Sequence, residues 1–180
     1  TATGDGASRI ERPAVAFRHY LGGSLNTRQM LAHDVDGDGA REVVLIVGGS
    51  MVTKTADDVV VWETGALDLS RIDALTDLDG DGAQELVASA AGGRVYVIDA
   101  RAGAVLWTLP VGIVGNVGAV RLADFDRDGR PDVYLAEQAC GSTGALGDVA
   151  RAYSFAAGFA APAMLFELER GRRDYVCGSN

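Results

Sequence analysis

The sequence predicts an all-β fold, a β-propeller-type array of about three four-stranded antiparallel blades that form part of a larger propeller. Three observations carry this expectation. An acidic loop is written three times, as Asp34-Val-Asp36-Gly-Asp38-Gly-Ala-Arg-Glu42, Asp77-Leu-Asp79-Gly-Asp81-Gly-Ala-Gln-Glu85 and Asp124-Phe-Asp126-Arg-Asp128-Gly-Arg-Pro-Asp132. The loops start 43 and 47 residues apart, the spacing of blades or other stacked units. Each loop also runs straight into β-branched, aromatic or aliphatic residues of strand length, so each joins strand to strand.

The elements follow in order along the chain. Residues 1–26 read as an N-terminal segment in which Ala14-Val-Ala-Phe-Arg-His-Tyr-Leu21 supplies an outer strand of a preceding blade. Blade 1 spans 27–70 with strands at 29–32, 43–47, 59–62 and 67–69, and blade 2 spans 71–116 with strands at 72–75, 86–88, 95–98 and 105–107. Blade 3 spans 117–169 with strands at 120–123, 133–135, 151–155 and 164–166, and 170–180 is a tail. Gly48-Gly49 and Gly92-Gly93 mark the turns between second and third strands. Glycines and strand formers interrupt every stretch long enough for a helix, save for one turn read near 148–151. In such stacked units Trp62, Tyr96, Trp107 and Phe155 belong to the core between blades rather than to a sugar platform.

The chemistry of the loops points to a hard cation. Carboxylates at positions 1, 3, 5 and 9 of a short loop repel one another unless a cation sits among them, and Ca²⁺ takes six to eight oxygens. The expected ligands are Asp34, Asp36, Asp38 and Glu42 in the first loop, Asp77, Asp79, Asp81 and Glu85 in the second, and Asp124, Asp126, Asp128 and Asp132 in the third. The position 7 carbonyls of Ala40, Ala83 and Arg130 are the expected backbone ligands, and about three Ca²⁺ ions are implied. The glycine at position 6 supplies the sharp turn. An EF-hand is excluded, because its position 12 ligand is replaced by Leu45, Ala88 and Leu135.

Composition narrows the function classes. The 180-residue chain can bury a real core. Its net charge is −9, but the loops alone carry twelve acids, so the acidity is local and the rest is net positive by three. Three bound Ca²⁺ would bring the total to about −3. No basic stripe tracks a phosphate backbone, and the cluster Arg170, Arg172 and Arg173 reads as a solvated tail, so no nucleic acid is expected. The most apolar stretch, 155–166, is too short to cross a bilayer and contains Gly158 and Pro162, so no membrane insertion is expected. The chain starts at Thr1, which reads as a processed protein or an excerpt. Cys140 and Cys177 fit no zinc spacing; a disulfide between them, pinning the tail to the last repeat, is expected if the protein is exported.

The pattern D-x-D-x-D-G-x-x-[DE] ahead of an apolar strand on a four-stranded repeat resembles the FG-GAP/VCBS repeats of integrin α-subunit propellers and of bacterial secreted and surface proteins, over residues 27–169. The Phe-Gly and Gly-Ala-Pro signatures of that family are met only loosely, by Val117-Gly-Ala-Val120 and Ala160-Ala-Pro162. The stretch from Val95 to Trp107 is similar to quinoprotein-type blades in architecture, with no cofactor implied. The FG-GAP/VCBS resemblance implies Ca²⁺ at the listed acids and an extracellular, periplasmic or cell-surface setting. It implies binding, adhesion or scaffolding, with structural Ca²⁺ sites and a protein or glycan ligand held by variable loops. The alternative is a carbohydrate-active propeller, a polysaccharide lyase or lectin-like module, which needs an acid or base on one face. His19 and His33 are the only histidines, and His33, directly before Asp34, reads as orienting the loop or ending the strand rather than as a catalyst. No G-x-S-x-G, H-E-x-x-H or phosphate-binding loop occurs; Gly112-Ile-Val-Gly115-Asn-Val-Gly118 reads as an interblade loop.

Overall fold

Among the described residues twelve strands arise from one pattern repeated three times, an acidic turn between the first and second strands followed by two further antiparallel pairings. The computed structural model describes residues 28–109, 116–138 and 149–169. The first sheet contains β1 (Met30–His33), β2 (Glu42–Val47), β3 (Ser50–Lys54) and β4 (Val60–Glu63). The second contains β5 (Leu69–Thr76), β6 (Glu85–Ala90), β7 (Val95–Asp99) and β8 (Val105–Thr108). The third contains β9 (Asn116–Ala123), β10 (Asp132–Gln138), β11 (Val149–Ser154) and β12 (Ala163–Glu169). Within each sheet the strands pair in sequence order and antiparallel, the blade arrangement of a propeller-type array. The strand read at 14–21, the tail and both cysteines lie outside the described residues.

Two readings need correction. In the first sheet the third strand is Ser50–Lys54, and the valine-rich run that starts at Val59 supplies the fourth strand; 67–69 only leads into β5. A tight turn at 55–59 makes this hairpin, with the Asp58 N–H donating to the Thr55 carbonyl and Asp58 itself at φ 68°. Residues 149–151, read as the end of a helical turn, are the start of β11, where Arg151 pairs with Leu135 and Glu167. Pairing on both sides overrides the local helical propensity of Ala and Arg.

The sheets stack through rows of side chains fixed by the register. One row crosses the first sheet as Leu31, Val44, Thr53 and Trp62, and its counterpart crosses the second as Ala74, Val87, Val97 and Trp107. Alternation along a strand then sends neighbours to the opposite face. Val44 and Trp62 pack with Leu86, Ala88, Tyr96 and Ile98 of the second sheet. Val87 and Val97 pack instead with Val133, Leu135, Tyr153 and Phe155 of the third. The second sheet is therefore buried on both faces, and all six residues of β6 are buried. A register shift follows the row residue of each third strand, at Thr53/Lys54, Val97/Ile98 and Ala152/Tyr153, which adds twist at the same place in every sheet.

The tryptophans close the two interfaces, as expected for core between blades. The Trp62 Nε1–H donates to the Ala100 carbonyl at 2.9 Å, in the β7–β8 turn of the next sheet. Trp107 meets Tyr153 and Phe155 with ring centroids 5.1 and 5.3 Å apart, the tilted and edge-on geometry that aromatic quadrupoles favour. Gly103, at φ 70°, lies under the Trp62 ring so closely that a Cβ there would sit 2.5 Å from Cε3. Gly103→Ala is therefore expected to destabilise the fold by about 2–4 kcal/mol, from overpacking and left-handed strain together. Thr53 is fully buried and its hydroxyl has no hydrogen-bond partner among the described residues, whereas Val97 fills the same place in the next sheet. Thr53→Val should raise stability by about 1 kcal/mol, because it removes a desolvated, unsatisfied hydroxyl at nearly constant shape. Urea unfolding of both variants checks these values.

Candidate metal centre

Each acidic loop spans the gap between the first and second strands of its sheet, and its last acid is already the first residue of the second strand. Loop 1 (34–42) runs from β1 to β2, loop 2 (77–85) from β5 to β6 and loop 3 (124–132) from β9 to β10. The backbone turns twice in the left-handed region in every loop. Position 6 does so at Gly39, Gly82 and Gly129 with φ of 89–90°, as the sequence predicts. Position 4 does so as well, at Gly37, Gly80 and Arg127. The second turn went unread because Arg127 breaks the glycine pattern; the shared glycine of loops 1 and 2 is the one signal for it.

These turns aim backbone N–H groups inward at the carboxylates. In loop 1 Asp34 accepts from Gly37 at 2.7 Å and from Gly39 at 2.9 Å, Asp36 accepts from the Asp38 N–H, and Asp38 accepts from the Ala40 N–H. Loop 2 repeats all four bonds with Asp77, Asp79 and Asp81. In loop 3 the Asp128 N–H is shared between Asp124 and Asp126, both at 3.1 Å, and Gly129 and Arg130 donate to Asp124 and Asp128. The position 9 acid does a second job that sequence reasoning missed. One of its oxygens accepts the N–H of position 2: Val35 to Glu42 at 3.0 Å, Leu78 to Glu85 at 2.8 Å and Phe125 to Asp132 at 2.7 Å.

As a result, three acids of each loop converge. Asp34, Asp36 and Glu42 bring carboxylate oxygens within 4.8 Å of one another, as do Asp77, Asp79 and Glu85, and Asp124, Asp126 and Asp132. The position 5 acids Asp38, Asp81 and Asp128 stand outside these groups and are exposed, each engaged by the N–H of position 7. Ala40, Ala83 and Arg130 stand beside them as the predicted carbonyl donors. His33 ends β1 opposite Glu42 in the register.

Whether a hard cation fits can be judged from the closing acids, which are almost fully buried: Glu42 is 2 %, Glu85 3 % and Asp132 1 % exposed. A buried carboxylate is costly unless it is paired, hydrogen-bonded or bound to a metal. The Asp132 Oδ1 atom is buried without a hydrogen-bond partner among the described residues, while Asp124 and Asp126 stand next to it. An all-oxygen donor set with an orphaned carboxylate oxygen inside it suits Ca²⁺, which neutralises the charge without removing the turn.

Residues 77–135, from loop 2 into β10, match the family model of the FG-GAP-like repeat. The chain carries an FG-GAP-like repeat. The match takes in loop 2, the last three strands of the second sheet, β9, loop 3 and the start of β10, so the matched stretch runs from one acidic loop through the next. No curated protein matches the sequence. Among solved structures the chain is similar to BamB from Moraxella catarrhalis, at 18 % identity and a TM-score of 0.42, over 71 % of this chain and 37 % of that one. It is also similar to BBS1N in complex with ARL6DN, at 13 % identity and a TM-score of 0.31, over 84 % of this chain and 69 % of that one. The chain thus spans well under half the length of BamB.

Electrostatics set a pH signature for loop 2. Burial pushes the Glu85 carboxyl up to about 7, against the lowering effect of the Leu78 N–H, and the charges of Asp79, Asp77 and Asp81 add to the rise. The folded chain without an ion therefore holds a proton that the unfolded chain releases near 4.5. The stability from this group is complete below about 4.5 and is lost as pH rises through about 7. Glu85→Gln should flatten that part of the stability profile in chelator, as measured by thermal unfolding between pH 4 and 8. An unchanged slope would show that Glu85 does not carry it.

Proposed function

We propose that this chain is a Ca²⁺-stabilised FG-GAP-like propeller module of an exported or cell-surface protein, acting in binding, adhesion or scaffolding, with structural ions. The convergence of three acids in each of the three loops, with Asp132 Oδ1 buried and unpartnered, carries the reading. The ligands are Asp34, Asp36, Asp38 and Glu42 and their equivalents in loops 2 and 3, joined by the carbonyls of Ala40, Ala83 and Arg130. The ion supplies a counter-charge, and the residues around it do the rest. Inward N–H groups hold the carboxylates in place before it binds, and the position 9 acid links the site to the first residue pair of the sheet.

The structural role follows from how each site is built. Its donors come from one contiguous turn, and the sites sit at the strand connections rather than in a shared cleft. An ion held that way stabilises the turn and the sheet entered through it. Such sites work at weak affinity where Ca²⁺ is abundant, with dissociation constants of about 10⁻⁴–10⁻³ M for extracellular modules, which supports the exported setting. No helix among the described residues is long and apolar enough to cross a membrane. The ligand of the module is a protein or glycan reached through the loops.

Excess chelator is expected to lower the thermal midpoint and Ca²⁺ to restore it, since an ion that binds only the folded state stabilises it by about 2.7 kcal/mol per site at a hundred times its dissociation constant. Asp124→Asn and Asp132→Asn, made singly, should each reduce the Ca²⁺-induced shift while leaving the other two sites titratable by calorimetry. Melting curves that coincide in chelator and in millimolar Ca²⁺ would defeat the calcium reading.

A further inference from the structure

Loop 1 is gripped by a residue of the second unit. The turn that follows β7 is closely tied, since the Asp99 carboxylate accepts the N–H groups of Arg101 at 2.7 Å and Ala102 at 3.1 Å, and the Gly103 N–H returns to the Asp99 carbonyl at 2.8 Å. Ala100 is fixed from two directions. Its N–H donates to the Gln84 carbonyl of its own unit at 3.0 Å, and its carbonyl accepts the Trp62 indole N–H of the first. The next side chain, Arg101, therefore reaches loop 1 from a fixed base, 65 residues away in sequence, and its Nη2 donates to the Asp36 carbonyl at 2.8 Å.

That carbonyl shares a peptide unit with the Gly37 N–H, which donates to the Asp34 carboxylate at 2.7 Å. A trans peptide is planar and points its C=O and N–H in opposite directions, so the guanidinium and the carboxylate hold one plate from its two sides. Two effects follow. The charged donor polarises the peptide and strengthens its N–H toward Asp34. It also keeps the plate from turning about Gly37, at φ 81°, where a glycine backbone has the most freedom. Asp34 is the position 1 member of the convergent carboxylates, so what fixes it fixes the site. The positive charge works the other way, because it repels a cation. That effect is the smaller one: Arg101 is exposed and lies on the far side of the peptide from Asp34, where water and salt screen it.

The other two loops lack this link among the described residues. Register puts Ala156 in the place of Arg101 in the third unit, with its N–H on Ser154 as that of Arg101 is on Asp99. An alanine cannot reach loop 2. Arg130 stands over Gly80 but donates to the Ala156 carbonyl of its own unit. In loop 3 the corresponding Asp124 oxygen accepts from position 5, at Asp128, rather than from position 4.

We infer that Arg101 is a positioning residue for the ion of loop 1, acting through the Asp36–Gly37 peptide on the Asp34 carboxylate, so that this site is completed across the boundary between two units. The role rests on Ca²⁺ as the ion proposed for loop 1. It sets loop 1 apart from loops 2 and 3, because filling this site also tightens the hold of the first unit on the second, by the reciprocity of linked equilibria.

Arg101→Met keeps the apolar stem over Gly37 and removes the donor. Amide resonances of Gly39, Gly82 and Gly129 read Ca²⁺ binding at the three loops separately in one ¹⁵N-labelled sample. The dissociation constant read at Gly39 should rise about tenfold in the variant, the low end of what such supporting contacts contribute, while those read at Gly82 and Gly129 stay unchanged. In chelator, with no ion needed, the Gly37 amide proton should move upfield as its bond to Asp34 weakens. A Gly39 constant that is unchanged or tighter overturns the inference, the latter by showing that charge repulsion prevails. Equal weakening at all three glycines also overturns it, as a general loss of stability. So does weakening at Gly39 with the Gly37 proton unmoved, since the effect would then bypass the peptide. Silence of all three glycines toward millimolar Ca²⁺ in the unaltered chain would defeat the calcium reading itself, and this role with it.

Discussion

The hydrogen bond from the position 2 N–H to the position 9 carboxylate is the contact on which the rest of each unit depends. It bridges seven residues and closes the loop at its base. It also sets the first residue pair of the sheet, since Glu42 faces His33, Glu85 faces Thr76 and Asp132 faces Ala123. A shift of one residue there would send every side chain of the second strand to the wrong face. The same bond turns the position 2 side chain into the core, so Val35 and Leu78 belong at once to a polar turn and to the packing between sheets. Loop chemistry and sheet stacking are therefore one structural problem rather than two.

The arrangement places a carboxylate where carboxylates are expensive. One oxygen of the closing acid is satisfied by the backbone, and burial then acts on the charge that remains. Loop 2 shows this as a raised Glu85 and loop 3 as an unpartnered Asp132 oxygen. A proton or a cation can relieve the first, and a cation the second. The proton relieves the charge only at the lower end of the pH range, whereas a divalent ion also draws in the neighbouring aspartates that raise it. Replacing the acid with an apolar residue would remove the cost but would leave the position 2 N–H without its acceptor, so the carboxylate is fixed by the fold as well as by the ion proposed for it.

The second and third units were legible in sequence because their strands are rich in Val, Ile, Leu and aromatics and their turns in glycine. Val95-Tyr-Val-Ile98, the Gly103 turn and Val105-Leu-Trp107 fall where they are expected. The first unit hides its third strand because Ser50, Thr53 and Lys54 read as loop. The run Val59-Val60-Val61 looks like an interior strand, yet these residues are 60 %, 49 % and 38 % exposed, at or beside an edge strand. Burial, not hydrophobicity, decides the matter: Thr53 is central because Val44 and Trp62 flank it. In the loops the residue types were legible, but the convergence of positions 1, 3 and 9 without position 5 depends on backbone direction, which spacing alone does not carry.

Loop 3 departs from the other two in ways that belong together. Position 4 of loop 2 favours glycine because φ is 78°, and the mobile guanidinium end of Arg130 of the next unit stands close enough that a Cβ there would push it aside. In loop 1 Arg101 of the next unit stands at the same place and donates to the Asp36 carbonyl at 2.8 Å. Loop 3 carries Arg127 instead, in a left-handed conformation that costs a non-glycine residue about 1–2 kcal/mol. Its closing acid is the shorter Asp132, which reaches the Phe125 N–H at 2.7 Å but leaves Oδ1 unsatisfied. Loop 3 is thus strained, short of a hydrogen bond and left with Phe125 exposed, three features that loops 1 and 2 lack where a following sheet packs against them. Stacking between units and the ion proposed for the loops are alternative means of settling the same turn, and in the third unit of this chain more of that task would fall to such an ion.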